Sequence, residues 1–260
     1  MERWQGKVAV VTGAASGIGA AISQRLLDEN VQVVGLDIQI DRLLEKAKKR
    51  LELMENGKCG NLFYALKCDV ADESDVAAAF EWIVEKLGTV HVLVNDVGVI
   101  SYTPIIESDR ASLERLLNIN VLAMASCTAE AVKLMRKNGG EGHIFNINSV
   151  LGHEIPETPL SDKKGANGYS LYPACKHATV AMTHSIRREI KLTGAPIRIT
   201  SISPGLVKTE ISKHCEALKD LFDKIPALDP TDIADALIYA LGTRPEVQIT
   251  EITVRRTGEP

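Results

Sequence analysis

The sequence predicts one α/β domain, a doubly wound parallel sheet with helices on both faces (Rossmann-like). First, short β-branched runs alternate with segments of helical length, and a repeated strand–helix–strand order predicts a parallel sheet. Second, some strands are apolar throughout, such as Val8–Val11, which is typical of a sheet buried on both faces. Third, a glycine-rich turn follows the first strand and opens the first helix.

The elements follow one another over residues 1–260 without a repeat or a linker, so we expect a single domain. The predicted strands are Lys7–Val11, Val31–Leu36, Leu62–Cys68, His91–Asn95, His143–Asn148, Ile197–Ser201 and Gln248–Val254. The predicted helices are Gly17–Asn30, Asp41–Asn56, Glu73–Leu87, Ser112–Lys137, Tyr169–Thr193 and Thr231–Leu241.

Composition and spacing exclude several classes of function. The net charge is −4, which argues against binding to nucleic acid. The five cysteines include no Cys-x-x-Cys pair and the six histidines show no ligand spacing, so we expect neither a disulfide framework nor a metal site. No apolar run reaches the roughly 18 residues that span a bilayer, and no secretory signal is recognisable. We therefore expect a cytoplasmic protein without a membrane span.

The glycine-rich turn predicts a binding site for a dinucleotide. Glycines 13, 17 and 19 follow the first strand in the pattern Gly-x3-Gly-x-Gly. Glycine lets the backbone approach a pyrophosphate closely, and the next helix offers its N-terminal amides. The residues expected to contact the cofactor here are Gly13, Ser16, Gly17, Ile18 and Gly19. A plain glycine-rich turn is the alternative.

Asp37, at the end of the second strand, predicts NAD rather than NADP. A carboxylate there can accept hydrogen bonds from the adenosine ribose hydroxyls and would repel a 2′-phosphate. No arginine or lysine lies between Gly13 and Gly19, and Ile38 follows Asp37. Asp69, at the end of the third strand, could bind the adenine amino group. For both aspartates a local helix-capping or turn role is the alternative.

Tyr172 and Lys176 are four residues apart, so on a helix they share one face. A lysine ammonium favours the phenolate form of a neighbouring tyrosine. The pKa of a tyrosine, near 10, would have to fall by roughly 2–3 units for acid–base work near neutrality. The pair alone is a weak signal, and the rest of the motif set gives it weight.

Taken in order, six motifs resemble those of the short-chain dehydrogenase/reductase family over essentially the whole chain. They are Thr12–Gly19, Asn95–Gly98, Asn120, Ser149, the pair Tyr172 and Lys176, and Pro204-Gly205. Within the family the chain is most similar to the insect farnesol-dehydrogenase-like group and its vertebrate dehydrogenase/reductase relatives. Segments Met1–Trp4, Gly142–Ser149 and Ile202–Glu210 carry this narrower likeness.

The resemblance implies a role for each matching residue. Tyr172 would be the proton donor or acceptor, Ser149 would hold the substrate oxygen, and Lys176 would lower the tyrosine pKa. Asn120 would position a water molecule that relays protons to Lys176. The resemblance implies further cofactor contacts from Val70, Asn95, Tyr172, Lys176, Pro204, Val207 and Thr209. It also implies that segments near 150–170 and 206–228 cover a substrate.

Two features depart from the family pattern. Asp96-Val97 replaces the second Asn and the Ala of the usual Asn-Asn-Ala-Gly segment. That Asn chiefly ties strands together in the family, so we expect the change to lower stability more than activity. Ser149 lies 23 residues before Tyr172, a longer spacing than usual, and the extra residues fall in 154–168.

These features predict an NAD-dependent oxidoreductase that interconverts a hydrophobic, isoprenoid-like alcohol and its carbonyl compound. An apolar stripe and further apolar side chains would form the substrate wall, although the stripe could simply pack on the domain body. The stripe is Ile211, Cys215, Leu218, Leu221, Phe222 and Ile225, and the added wall is Val99, Ile100, Tyr102, Leu151 and Ile155. The alternatives are an NADPH-dependent carbonyl or steroid reductase and a non-catalytic NAD-binding sensor or scaffold. Helices 112–137 and 169–193 carry more apolar surface than one contact with the sheet requires. In the family that the chain resembles, these faces pair into dimers and tetramers, so we expect a homodimer or homotetramer, with deeper burial in the monomer as the alternative.

Overall fold

The structure, a computed structural model, describes residues 1–55, 63–155, 169–211 and 226–258. Its described residues form one seven-stranded sheet in the order β3-β2-β1-β4-β5-β6-β7, and every strand pairing is parallel. The strands are β1 Val8–Thr12, β2 Gln32–Asp37, β3 Phe63–Lys67, β4 Val92–Asn95, β5 Gly142–Ile147, β6 Ile197–Pro204 and β7 Glu251–Val254. This parallel sheet with flanking helices confirms the predicted fold class.

Helices cover both faces of the sheet. They are α1 Gly17–Asp28, α2 Ile40–Glu55, α3 Glu73–Leu87, α4 Arg110–Leu117, α5 Ala123–Lys137, α6 Tyr172–Thr193 and α7 Pro230–Gly242. One core contains side chains of α1, α2 and α7, and the other contains side chains of α3, α5 and α6. Strand β1 serves both cores, because Ala9 and Val11 face the first while Val8 and Val10 face the second. Its uninterrupted apolar sequence follows from this double burial.

The observed elements differ from the sequence predictions at several places. The predicted helix 112–137 contains a π-helical segment, Asn118–Leu122, between α4 and α5. Helix α6 begins at Tyr172 rather than Tyr169. Ser170, between them, has a φ of 51°, which is not a right-handed helical value. Strand β7 begins at Glu251 rather than Gln248. The Gln248 side chain pairs with the backbone of Ile199, donating to its oxygen at 2.9 Å and accepting from its nitrogen at 3.3 Å.

Candidate active site

The predicted site residues lie at the carboxyl edge of the sheet. Strand β1 ends in the glycine-rich turn, β2 ends at Asp37 and β4 ends at Asn95. Ser149 lies two residues beyond β5, and β6 ends at Pro204. The strand order reverses between β1 and β4, and open α/β sheets bind their ligands in the crevice at such a point.

The glycine-rich turn keeps bare backbone at the start of α1. Gly13 and Gly17 have φ values of 72° and 53°, in the left-handed region that favours glycine. A Cβ atom on Gly19 would lie 2.5 Å from the Gly13 carbonyl oxygen, so a larger residue would collide with the turn. Ser16 is the N-cap residue of α1, and its side chain makes no capping hydrogen bond. The backbone amides at the start of such a helix fit a pyrophosphate group.

Asp37 lies beside this turn and is bound to it. Its Oδ2 accepts a hydrogen bond from the Ala15 nitrogen at 3.1 Å, and its Oδ1 accepts one from the Gln39 nitrogen at 2.9 Å. The side chain is buried, whereas that of Ile38 is 61% exposed. Asp37 therefore connects the end of β2 to the turn, in the position expected for a ribose-binding carboxylate.

Arg42, a basic residue near Asp37, was not among the predicted site residues. Its guanidinium group donates to both carboxylate oxygens of Glu210, at 2.8 and 3.1 Å. Glu210, and to a lesser extent Asp37, raises the pKa of Arg42. The only sequence signal was an arginine one helical turn beyond Ile38, because its partner lies far along the chain.

Ser149, Tyr172 and Lys176 come together between the end of β5 and the start of α6. The Ser149 hydroxyl hydrogen-bonds to the Tyr172 side chain and accepts from the Leu151 nitrogen at 3.1 Å. The Lys176 Nζ lies 5.5 Å from the centroid of the Tyr172 ring and donates to the Ile147 carbonyl oxygen at 2.9 Å. Tyr172 and Lys176 are 8% and 4% exposed, so a protonated Nζ gains from that carbonyl partner.

Burial dominates the electrostatics of this group. It raises the pKa of Tyr172 above its usual value, and it lowers the pKa of Lys176 to about 8. The family resemblance implies that Lys176 lowers the tyrosine pKa. Here desolvation is the largest influence on the Tyr172 phenol, Tyr102 and Asp96 act in the same direction, and the Ser149 hydrogen bond opposes them. The predicted role of Lys176 stays a prediction.

Asn120 lies in the π-helical segment and is 1% exposed. Its Oδ1 accepts a hydrogen bond from the Val99 nitrogen, and its Nδ2 donates to the carbonyl oxygens of Val99 and Leu116, all at 3.0 Å. The amide thus fixes the loop after β4 against the helix. Its predicted role in a water relay stays a prediction.

Asn95 is used within the sheet. Its Nδ2 donates to Asn146 Oδ1 at 2.9 Å and to Thr128 Oγ1 at 3.0 Å, so it ties β4 to β5 and α5. The backbone nitrogen of Asp96 donates to Thr12 Oγ1 at 3.0 Å, which ties β4 to β1. These ties do not use the Asp96 carboxylate. The predicted contact between Asn95 and a cofactor stays a prediction.

The remaining predicted residues lie around the same edge. Asp69 Oδ1 accepts a hydrogen bond from the Ala71 nitrogen at 2.9 Å, which is the turn role that we considered as its alternative. Val70 is buried, and Val207 forms a β-bridge with Leu228. A Cβ atom on Gly17 would lie 3.2 Å from the Thr209 Cγ2, so Thr209 closes over the glycine-rich turn.

Only part of the predicted substrate wall falls in the described residues. Tyr102 is 8% exposed, and Val99, Ile100 and Leu151 are partly buried. Ile155 is 70% exposed. The stripe residues Cys215, Leu218, Leu221, Phe222 and Ile225, together with residues 156–168, lie outside the described residues.

A cavity of about 310 Å³ lies away from these residues, next to the N-terminal ends of β1 and β4. Its lining includes Arg3, Lys7, His91 and Glu141. Arg3 is paired with Glu141 at 3.0 Å, and burial lowers the pKa of His91 to about 4. We therefore assign the chemistry to the carboxyl edge.

Within residues 1–55, 63–155, 169–211 and 226–258, no group of three or more His, Cys, Asp or Glu side chains could hold a metal ion.

Sequence comparison agrees with this geometry. The sequence model of the short chain dehydrogenase family matches residues 7–219. The chain belongs to this family. It is 40% identical over 267 residues to a farnesol dehydrogenase of Aedes aegypti, covering 100% of this chain and 99% of the relative. It is also 34% identical over 265 residues to dehydrogenase/reductase SDR family member 11 of Bos taurus, with 100% and 99% coverage.

Solved structures of short-chain dehydrogenases share the fold. A short-chain type dehydrogenase/reductase from Mycobacterium marinum superposes with a TM-score of 0.83 at 23% identity, over 97% of this chain and 95% of its own. A serine dehydrogenase complexed with NADP⁺ gives a TM-score of 0.78 at 22% identity, over 95% and 94%. In the part of the chain that the structure describes, no helix is long and apolar enough to cross a membrane.

Proposed function

We propose that this member of the family is an NAD-dependent dehydrogenase that interconverts a hydrophobic, isoprenoid-like alcohol and its aldehyde or ketone. One observation carries the proposal: Ser149, Tyr172 and Lys176 meet at the sheet edge that also presents the glycine-rich turn and Asp37. A protein that only bound a nucleotide would not need all three of these polar side chains.

The residues divide the work of the reaction. The bound dinucleotide would supply hydride chemistry. Ser149 would orient the substrate oxygen by a hydrogen bond, and Tyr172 would exchange the proton of that oxygen. Lys176 is fixed by the Ile147 carbonyl oxygen, so its Nζ stays beside the tyrosine ring. Asn120 fixes the backbone of Val99, which would form part of the substrate wall.

Asp37 supports NAD as the cofactor. A buried carboxylate at the end of β2 would accept from ribose hydroxyls and would disfavour a 2′-phosphate. The second candidate is an NADPH-dependent carbonyl reductase. Arg42 favours it, because an arginine near the end of β2 could bind a 2′-phosphate. Both of its donating nitrogens are paired with Glu210, which supports the first candidate.

The apolar character of the described wall supports a hydrophobic substrate. Tyr102 is buried, and it lies close enough to Tyr172 to contribute to the raised pKa of that phenol. The relative named farnesol dehydrogenase adds support for an isoprenoid alcohol. Each methylene group buried in a matching pocket contributes about 0.8 kcal/mol, so a long alcohol gains over a short one.

A substrate panel tests the proposal. Farnesol, geraniol, a steroid alcohol and ethanol would each be offered with NAD and with NADP, and the product NADH or NADPH would be followed by absorbance. We expect the highest kcat/KM with a long isoprenoid alcohol and NAD. A higher kcat/KM with NADP would instead support the reductase. The absence of turnover together with measurable NAD binding would support the non-catalytic sensor.

We also propose self-association through the face formed by α4, the π-helical segment and α5. Leu117 and Leu122 are 40% and 56% exposed there, although both are large and apolar. Exposed apolar side chains grouped on one face are typical of subunit contacts. On α6 the only large apolar side chain that is exposed among the described residues is Leu192, at its C-terminal end, so α6 supports the prediction less.

A further inference from the structure

The carboxylate of Asp96 lies directly beneath the glycine-rich turn. It accepts a hydrogen bond from the backbone N–H of Gly19, the third residue of α1. Its Oδ2 is 2.7 Å from where a Cβ atom on Gly19 would lie and 3.4 Å from the corresponding position on Gly13. The first N–H groups of a helix have no carbonyl partner within it, so the carboxylate satisfies one of them.

Few charges balance that carboxylate. From Val8 to Gln24, which covers β1, the turn and most of α1, the sequence contains no charged residue. Lys176 on α6 faces Asp96 and favours its ionised form, while Asp37 at the end of β2 disfavours it. The titratable phenols nearby are Tyr172 on α6 and Tyr102 on the segment after β4. The Lys176 Nζ donates to the Ile147 carbonyl oxygen at 2.9 Å.

Removal from water therefore decides the charge state of Asp96. The side chain is only partly exposed, and burial raises its pKa to about 7. The Gly19 N–H and Lys176 oppose this rise without cancelling it. Near neutral pH, Asp96 is thus divided between a neutral carboxylic acid and a carboxylate.

The two forms differ in their effect on an anionic ligand at the start of α1. The pyrophosphate of a dinucleotide would bind to the amides of the turn, at the positive end of the helix dipole. An ionised Asp96 offers a like charge to the same helix end, whereas the neutral acid does not. We propose that Asp96 couples dinucleotide binding to the uptake of a proton, so that it sets how cofactor affinity depends on pH.

This inference rests on the proposed dinucleotide binding and adds the sign of its pH dependence. Below pH 7 Asp96 is protonated already, and binding proceeds without proton uptake. As the pH rises through 7, binding must restore the neutral form, and affinity can fall by up to about tenfold per pH unit. Lys176, whose pKa is lowered to about 8 by burial, would lose its charge at higher pH and weaken binding further.

Asp96→Asn separates these two contributions. The amide has nearly the same shape, and its oxygen can still accept from the Gly19 N–H, but it cannot ionise. Asp109→Asn is the matched control, because Asp109 caps α4 at the surface through the Ser112 nitrogen at 2.7 Å. Each protein would be tested for NAD binding by calorimetry at pH 6, 7 and 8, with thermal melting to check folding.

For the wild type and for Asp109→Asn, we expect the Kd for NAD to rise by about three- to tenfold between pH 6 and pH 8. For Asp96→Asn, we expect a smaller rise and tighter binding than the wild type at pH 8. Calorimetry at pH 7.5 in two buffers of different ionisation enthalpy should show proton uptake on binding by the wild type. The uptake should be smaller in Asp96→Asn.

Equal pH slopes for wild type and Asp96→Asn would overturn the proposal, as would proton uptake that the variant leaves unchanged. If Asp96→Asn does not fold, the wild-type titration still decides, since binding without proton uptake at pH 7.5 contradicts the proposal. These outcomes leave dinucleotide binding itself intact. A wild-type protein that binds neither NAD nor NADP at any pH would overturn the proposed function and this inference together.

Discussion

At the scale of single residues, burial raises the pKa of Tyr172, whereas acid–base catalysis near neutral pH favours a lower one. The Tyr172 hydroxyl is buried, which favours the protonated phenol. Ser149 is the side chain that acts in the other direction, by hydrogen bonding to it. The site is thus arranged around a neutral phenol.

Replacing Tyr172 with Phe should abolish most turnover. The ring and its packing remain, but the exchangeable proton is lost, and such acid–base help is worth roughly 10²–10⁴-fold in rate. NAD affinity and melting temperature should change little. Steady-state kinetics with Tyr169→Phe as the control would measure this, because Tyr169 lies three residues away, outside α6. A Tyr172→Phe protein with half the wild-type rate would contradict the assignment.

Asp37 is expected to select NAD over NADP. Asp37→Ala combined with Ile38→Arg removes the charge that repels a 2′-phosphate and adds a partner for it. The ratio of kcat/KM for NAD to that for NADP should fall by at least about tenfold, or about 1.4 kcal/mol. Asp37→Ala alone should weaken both cofactors, because the Ala15 nitrogen loses its acceptor. Asp41→Ala is the control, because it removes another carboxylate, in the first turn of α2. A wild-type enzyme that already prefers NADP would refute the role of Asp37.

The residues that could be predicted from sequence are those fixed by local spacing. Tyr172 and Lys176 are one helical turn apart, and Gly13, Gly17 and Gly19 belong to one turn, so their proximity followed from the chain itself. The contact between Asp96 and Gly19 and the pair of Arg42 with Glu210 could not be predicted. Each joins parts of the chain that only the folded sheet brings together.

At the scale of elements, the π-helical segment is the main departure from the sequence pattern. Apolar periodicity predicts a helix over 112–137, but it does not reveal an extra residue in one turn. Asn120 lies in this segment, and its amide binds the Val99 backbone and the Leu116 carbonyl oxygen. Likewise Gln248 reads as a strand residue, yet its side chain rather than its backbone completes the pairing with β6.

Asn120→Ala should therefore lower both stability and turnover. It leaves three buried hydrogen bonds unmade, at a cost of about 1–3 kcal/mol for each group without a partner. Melting temperature should fall by about 2–4 °C for each kcal/mol, and KM should rise because Val99 is released. Asn138→Ala is the control, since Asn138 makes one such bond, to the Leu134 carbonyl oxygen at 3.1 Å. An unchanged melting temperature for Asn120→Ala would contradict this account.

At the scale of the whole molecule, the exposed apolar face of α4, the π-helical segment and α5 predicts association. Leu117→Glu combined with Leu122→Glu should convert an oligomer into a monomer, because charged side chains are costly to bury without partners. Light scattering after size-exclusion chromatography measures the mass. Leu51→Glu, at an equally exposed leucine of α2, is the control. A wild-type protein that is already monomeric would contradict the proposal.

The all-parallel order of the sheet has a consequence for how the chain folds. Central strand β1 pairs with β4 through Ala9 and Val92, which are separated by about a third of the chain. No hairpin can start such a sheet, so a long loop must close before its central pairing contributes any free energy. Folding dominated by distant pairings is slow. Until β1 and β4 meet, their apolar residues remain open to other chains, and the time spent in that state would favour aggregation over refolding at high concentration.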